Sequence, residues 1–192
     1  MKFAYLLLLP FLVLTSCTDY SLDKYAKEVR STTTPTPEVY NIIIDTLSPE
    51  KSIATCYFDI KSRWRYQQDP QKADHFQNAG NLLREEFPTG DCEDFASIMM
   101  AICRAMNINS QICLGINSSK TSGHAWTELE LCNVGDYSKN VEDFIQASFD
   151  NQCNIVERNG KMWIQLNFGA NPRDYKLYCS IDTLGAITKF YH

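Results

Sequence analysis

The stretch TGDCEDFASIMMAICRAMN, residues 89–107, carries the clearest periodicity in the chain. From Cys92 onward, Phe95, Ile98, Met99, Ile102 and Met106 recur at the three-and-four spacing of one buried helical stripe. Thr89-Gly90-Asp91 reads as turn and cap before that helix, and Asp91, Glu93 and Asp94 suit capping and the positive end of the dipole. Asn107 suits the left-handed residue that closes it. Upstream, Ser48 reads as an N-cap with Pro49 at the first helical position, and Ile53, Tyr57, Ile60 and Trp64 predict an amphipathic helix over 49–66. A weaker helical stretch runs over 78–86.

Downstream the period changes from helical to two. Gln111 to Asn117 alternates like a strand. In the next strand, His124 to Cys132, the residues His124, Trp126, Glu128 and Glu130 take one face, and Ala125, Thr127, Leu129 and Leu131 the other. Glu128 and Glu130 read as a solvated strand face. Asn159-Gly160 is a two-residue hairpin signal between IVER and KMWIQLNF, and 175–179 and 186–191 add short strands. Helices first and strands later make the class α+β, with an antiparallel sheet.

Composition narrows the function. The chain has 192 residues, 44% hydrophobic and 21% charged, with a formal net charge of -5, so it is globular and lacks a basic nucleic-acid footprint. Residues 1–17, MKFAYLLLLPFLVLTSC, pair a basic Lys2 with an apolar run from Phe3 to Leu14. That run is shorter than the roughly 20 residues a membrane-spanning helix needs and fits a signal-peptide core. Leu14-Thr15-Ser16-Cys17 resembles a bacterial lipobox, which implies cleavage before Cys17 and lipidation of that cysteine. On this reading 1–16 is a signal peptide and 17–39, with its Thr/Pro-rich stretch at 31–37, a tether. Residues 40–192 are the folded domain, held at the extracytoplasmic face of a bacterial envelope membrane. Eight cysteines less Cys17 leave seven, an odd number, with no pair at CxxC spacing and only three histidines. Neither a metal nor a cofactor is expected.

A cysteine at a helix N-terminus is placed to become a thiolate, below its ordinary pKa of about 8.5, if a base lies within about 3 Å and a third polar group orients that base. Cys92 stands at such a terminus, and His124 opens a strand 32 residues later. The pair GDCEDFA at 90–96 and GHAWTEL at 123–129, followed by Trp163-Ile164-Gln165-Leu166, resembles the bacterial transglutaminase-like superfamily over roughly 53–170. The resemblance implies a papain-like fold, Cys92 as nucleophile and His124 as general base and acid.

The family's third residue is an aspartate in a W-x-x-L-D context, where this chain has Asn167. An amide still accepts an imidazole N–H, as in Cys-His-Asn sites, but brings no charge. Asp150, in Ser148-Phe149-Asp150-Asn151, is the competing residue. The oxyanion would be met by the Cys92 backbone N–H, with Gln77 as a candidate second donor. Two functions follow: a lipid-anchored cysteine hydrolase acting on an amide bond of a peptide or protein, or an inactive binding module that keeps the fold.

Overall fold

The computed structural model describes residues 22–44, 47, 49–69, 75–119, 122–131 and 153–190. Its elements run α1 (22–32), α2 (Pro37–Ile42), α3 (Pro49–Arg63), β1 (Arg65–Tyr66), α4 (Ala79–Leu83), β2 (Thr89–Gly90) and α5 (Cys92–Ala105). After them come β3 (Ser110–Asn117), β4 (Gly123–Leu131), β5 (Asn154–Arg158), β6 (Lys161–Leu166), a 3-10 turn (Pro172–Asp174), β7 (Tyr175–Asp182) and β8 (Ile187–Lys189). Strands β3 to β8 form one antiparallel sheet in the order β5-β6-β4-β3-β7-β8, so the α+β expectation holds. The hairpin also forms where the sequence placed it. Asn159 and Gly160 both take positive φ, 53° and 71°, between the paired Arg158 and Lys161.

Helix α5 is the centre of the molecule. The sequence showed one apolar stripe, yet every residue from Glu93 to Cys103 is buried. On one side Phe95, Ile98, Met99 and Ile102 pack with Ile53, Tyr57, Ile60 and Trp64 of the α3 region and with Leu129, Ile164 and Leu166 of the sheet. Phe95 anchors that side, edge-on to Trp64 at 5.3 Å and to Tyr57 at 5.9 Å between ring centroids. On the other side Ala96 and Met100 meet Ala26 and Val29 of α1, Ile112 of β3, Ala125 of β4 and Ile181 of β7. A helix wrapped by apolar neighbours on all sides needs no polar face, which is why Ala and Met fill the positions off the stripe.

The second layer corrects the reading of 17–39 as a tether and of 40 as the start of the domain. Residues 22–32 are helical, Leu22, Ala26 and Val29 are buried, and Arg104 of α5 donates to the Arg30 carbonyl (3.1 Å) and to Thr33 Oγ1 (2.6 Å). Val39 of α2 is also fully buried. The Thr-rich run that suggested an extended linker is consumed by the helix itself: Thr32, Thr33 and Thr34 hydroxyls donate to carbonyls four residues back. The expected signal peptide over 1–16, Cys17, Ser48, Cys132 and Asp150 lie outside the described residues.

Candidate active site

Cys92 opens α5 after Asp91, whose extended backbone (φ -109°) makes it the N-cap residue. The acids around Cys92 do not cap the helix as expected. Asp91 makes no side-chain capping bond. Asp94 accepts from the Gln77 backbone N–H at 2.7 Å and from Gln77 Nε2 at 2.6 Å. Gln77 Nε2 also donates to the Thr89 carbonyl at 3.3 Å, so both amide hydrogens are engaged and neither is left to meet an oxyanion. Gly90 is required here, because a Cβ on it would collide with the Asp94 carboxylate. The short parallel pairing of β1 with β2, Arg65 to Thr89 and Tyr66 to Gly90, then fixes the turn that delivers Cys92.

Two groups hold the thiol. Its Sγ donates to Glu93 Oε2 at 3.2 Å and accepts from the backbone N–H of Ala125, the residue that follows His124. The first residues of β4 therefore cross the N-terminus of α5, and Thr127 Oγ1 donates to the Ala96 carbonyl at 2.7 Å to fix that crossing. His124 is 6% exposed. Its ring lies between Trp126, stacked at 5.8 Å and 26°, and Tyr175, tilted at 5.0 Å. The Ala170 backbone carbonyl lies toward the imidazole and favours its protonated form, while Nε2 has no hydrogen-bond partner among the described residues. Nε2 is thus open to accept a proton when the ring is neutral and its hydrogen sits on Nδ1. Tyr66, 60% exposed, lies near enough to Cys92 for the thiol's charge to act on its hydroxyl, although burial is the larger influence on it.

Charge at this site runs against a resting thiolate. Burial, then the Glu93 carboxyl, push the Cys92 thiol above its ordinary range, outweighing the Ala125 N–H. The expectation of a depressed thiol pKa is thus reversed: desolvation and an adjacent carboxyl exceed the stabilisation offered by a helix terminus. Glu93 is raised in turn by burial and by its hydrogen bond with Asp91. Burial lowers His124 to about 4. At neutral pH these shifts leave the thiol protonated and the imidazole uncharged.

Asp91, Cys92 and Glu93 bring ligand atoms within 4.8 Å of one another. The thiol–Glu93 and Glu93–Asp91 hydrogen bonds account for that closeness, and we assign no metal to it. Asn167, expected as the third member, is buried just beyond β6, and its backbone carbonyl accepts from Tyr57 Oη at 2.8 Å. Sequence reasoning missed the Ala170 carbonyl and Tyr175, since neither a backbone acceptor nor the first residue of a distant strand leaves a spacing signal, and it read Glu93 only as a capping residue. Of the two glutamates read as solvated, Glu128 is fully buried and paired with Arg158, whereas Glu130, at the open end of the strand, accepts from Lys161 and Asn109. His75 is exposed, as its lack of a motif suggested.

The family model described as the transglutaminase-like superfamily matches residues 23–165. No curated protein and no solved structure gives a match. No helix among the described residues is long and apolar enough to cross a membrane.

Proposed function

Because the chain belongs to the transglutaminase-like superfamily, we propose that it is a cysteine hydrolase cleaving an amide bond in a peptide or protein, anchored to a bacterial envelope membrane. One observation carries the reading. The Cys92 sulfur is bonded by the backbone of the residue next to His124, whose Nε2 is buried without a partner. In the proposed cycle Nε2 takes the thiol proton as sulfur attacks the carbonyl carbon, and the Cys92 backbone N–H meets the oxyanion. The imidazolium returns the proton to the leaving amine, giving a thioester. Water, deprotonated by His124, then cleaves the thioester and restores the thiol. An imidazole near 4 is a weak base, so proton transfer must accompany attack rather than precede it. In this reading the nearby Ala170 carbonyl favours the tautomer with its hydrogen on Nδ1. Asn167 is the proposed third side chain and Asp150 its alternative.

Cys17 is the proposed lipidation site, on the strength of Leu14-Thr15-Ser16-Cys17. With α1 described from Leu22, the five residues 17–21 reach at most about 18 Å, so the domain would ride close to the lipid surface. A second reading, a binding module without chemistry, is favoured by the raised thiol and its donation to Glu93.

Acylation separates the two. Incubation with p-nitrophenyl acetate, followed by peptide mass mapping, is expected to place one acetyl group on Cys92. His124→Ala should slow that acylation by about 10²-fold or more. Acetylation absent from Cys92, or indifferent to His124→Ala, would remove the enzyme and leave the module.

A further inference from the structure

The face of β4 that bears His124 continues through Trp126 to Glu128, and it is this face whose polar residues turn out to be buried. The Glu128 side chain is fully inaccessible and saturated. Oε1 accepts from Trp126 Nε1 and from Gln165 Nε2, each at 2.9 Å. Oε2 accepts from Gln111 Nε2 at 3.0 Å and from Arg158 Nη1. Burial pushes this carboxyl up, but the bonds from Arg158, Gln165 and Trp126 outweigh it and hold it below its ordinary value, so it stays ionised. A buried carboxylate with a cation and three neutral donors is fixed in one geometry, and it fixes its donors too.

One of those donors is the indole that stacks on His124. On its far side the indole closes over Gly115, the cross-strand partner of His124. A Cβ there would stand 2.9 Å from Trp126 Cη2 and Cζ3 and 2.9 Å from Tyr175 Cβ. The rings on either side of the imidazole therefore have no room to shift toward β3, and the Nε1–H bond to Glu128 stops the indole from rotating. Packing alone would hold a ring in place. The directed N–H bond also sets its angle.

We infer that Glu128 is a positioning residue for the His124 imidazole, acting through the Trp126 indole it holds. This deepens the hydrolase reading, in which His124 must present Nε2 to the Cys92 thiol. Arg158 keeps Glu128 charged, Glu128 orients Trp126, and Trp126 with Tyr175 confines the His124 ring in one orientation.

Two variants and two readouts test it in the full chain. Trp126→Phe keeps a ring against His124 and removes the N–H that Glu128 accepts. Glu128→Gln keeps the shape and removes the charge. Each is expected to slow Cys92 acetylation by p-nitrophenyl acetate roughly tenfold. The double variant should lose no more than the larger single loss, because both act on one link. Long-range 1H–15N NMR should show one His124 tautomer in the wild type, with Nε2 unprotonated, and a mixture in either variant. A folded Trp126→Phe or Glu128→Gln protein with an unchanged tautomer and acylation rate overturns the inference. If Glu128→Gln fails to fold, Trp126→Phe decides. If the wild type is never acylated, the hydrolase reading falls while the tautomer readout still decides this one.

Discussion

The two faces of β4 do different work with the same backbone. One face, Ala125, Thr127 and Leu129, is buried against α5 and the aromatic core and joins sheet to helix by shape and one hydroxyl bond. The other, His124, Trp126 and Glu128, is buried as deeply but carries an imidazole and a carboxylate with an indole N–H between them. Apolar burial tolerates some slack, whereas a buried carboxylate or imidazole demands each partner in place. The strand thus separates a face that joins sheet to helix from a face whose bonded groups confine the His124 ring.

The largest effect expected from breaking this contrast is Glu128→Ala. It leaves Arg158 unpaired and three donors unsatisfied, and should lower the unfolding free energy by about 3–5 kcal/mol in urea titration. A loss below about 1 kcal/mol would mean the polar face is ordinary surface.

A smaller effect comes from pH. Folding holds His124 at about 4, below the roughly 6.5 of an unfolded chain, so protonation favours unfolding. Its stabilisation is present above about 6.5 and is lost as pH falls toward 4. Asp94, raised to about 6, acts in the opposite sense, favouring the folded state as it takes up a proton, and Glu93 does the same. The His124 part is therefore read by subtraction. Between pH 7 and 5 the wild type should lose about 2 kcal/mol more than His124→Asn. Parallel curves would show that the ring is not buried as described.

The smallest effect marks the edge of the polar face. Glu130 meets Lys161, half exposed, at 2.8 Å. Glu130→Ala should cost under about 1 kcal/mol by the same titration. A loss equal to that of Glu128→Ala would erase the distinction between the covered and open ends of β4.

Periodicity placed α5, β3, β4 and the β5–β6 hairpin because each carries its own local signal: a stripe, an alternation, or a two-residue turn. It failed where burial comes from a distant partner. α1 reads as part of a linker because its apolar residues are few, and only α5 lying across them gives Val29 a core to enter. Glu128 reads as solvated because alternation assigns sides without saying what covers them. The Cys92 and His124 motifs were legible, as was the family. The thiol's protonation was not, since it depends on how deeply Glu93 and Asp91 are buried beside it.

Cys153 offers the control for the central claim. It too is a half-buried thiol raised by burial, to about 12, but its neighbours are Tyr57 and Lys61 rather than an imidazole. The most direct measurement is the rate of iodoacetamide alkylation at Cys92 and Cys153 in one folded sample, read by peptide mass mapping, with and without His124→Ala. If His124 takes the proton of Cys92, Cys92 reacts faster than Cys153, and that excess disappears in His124→Ala while the Cys153 rate stays constant. Equal rates at the two thiols, an excess that survives His124→Ala, or Cys92 found closed in a disulfide would contradict the account.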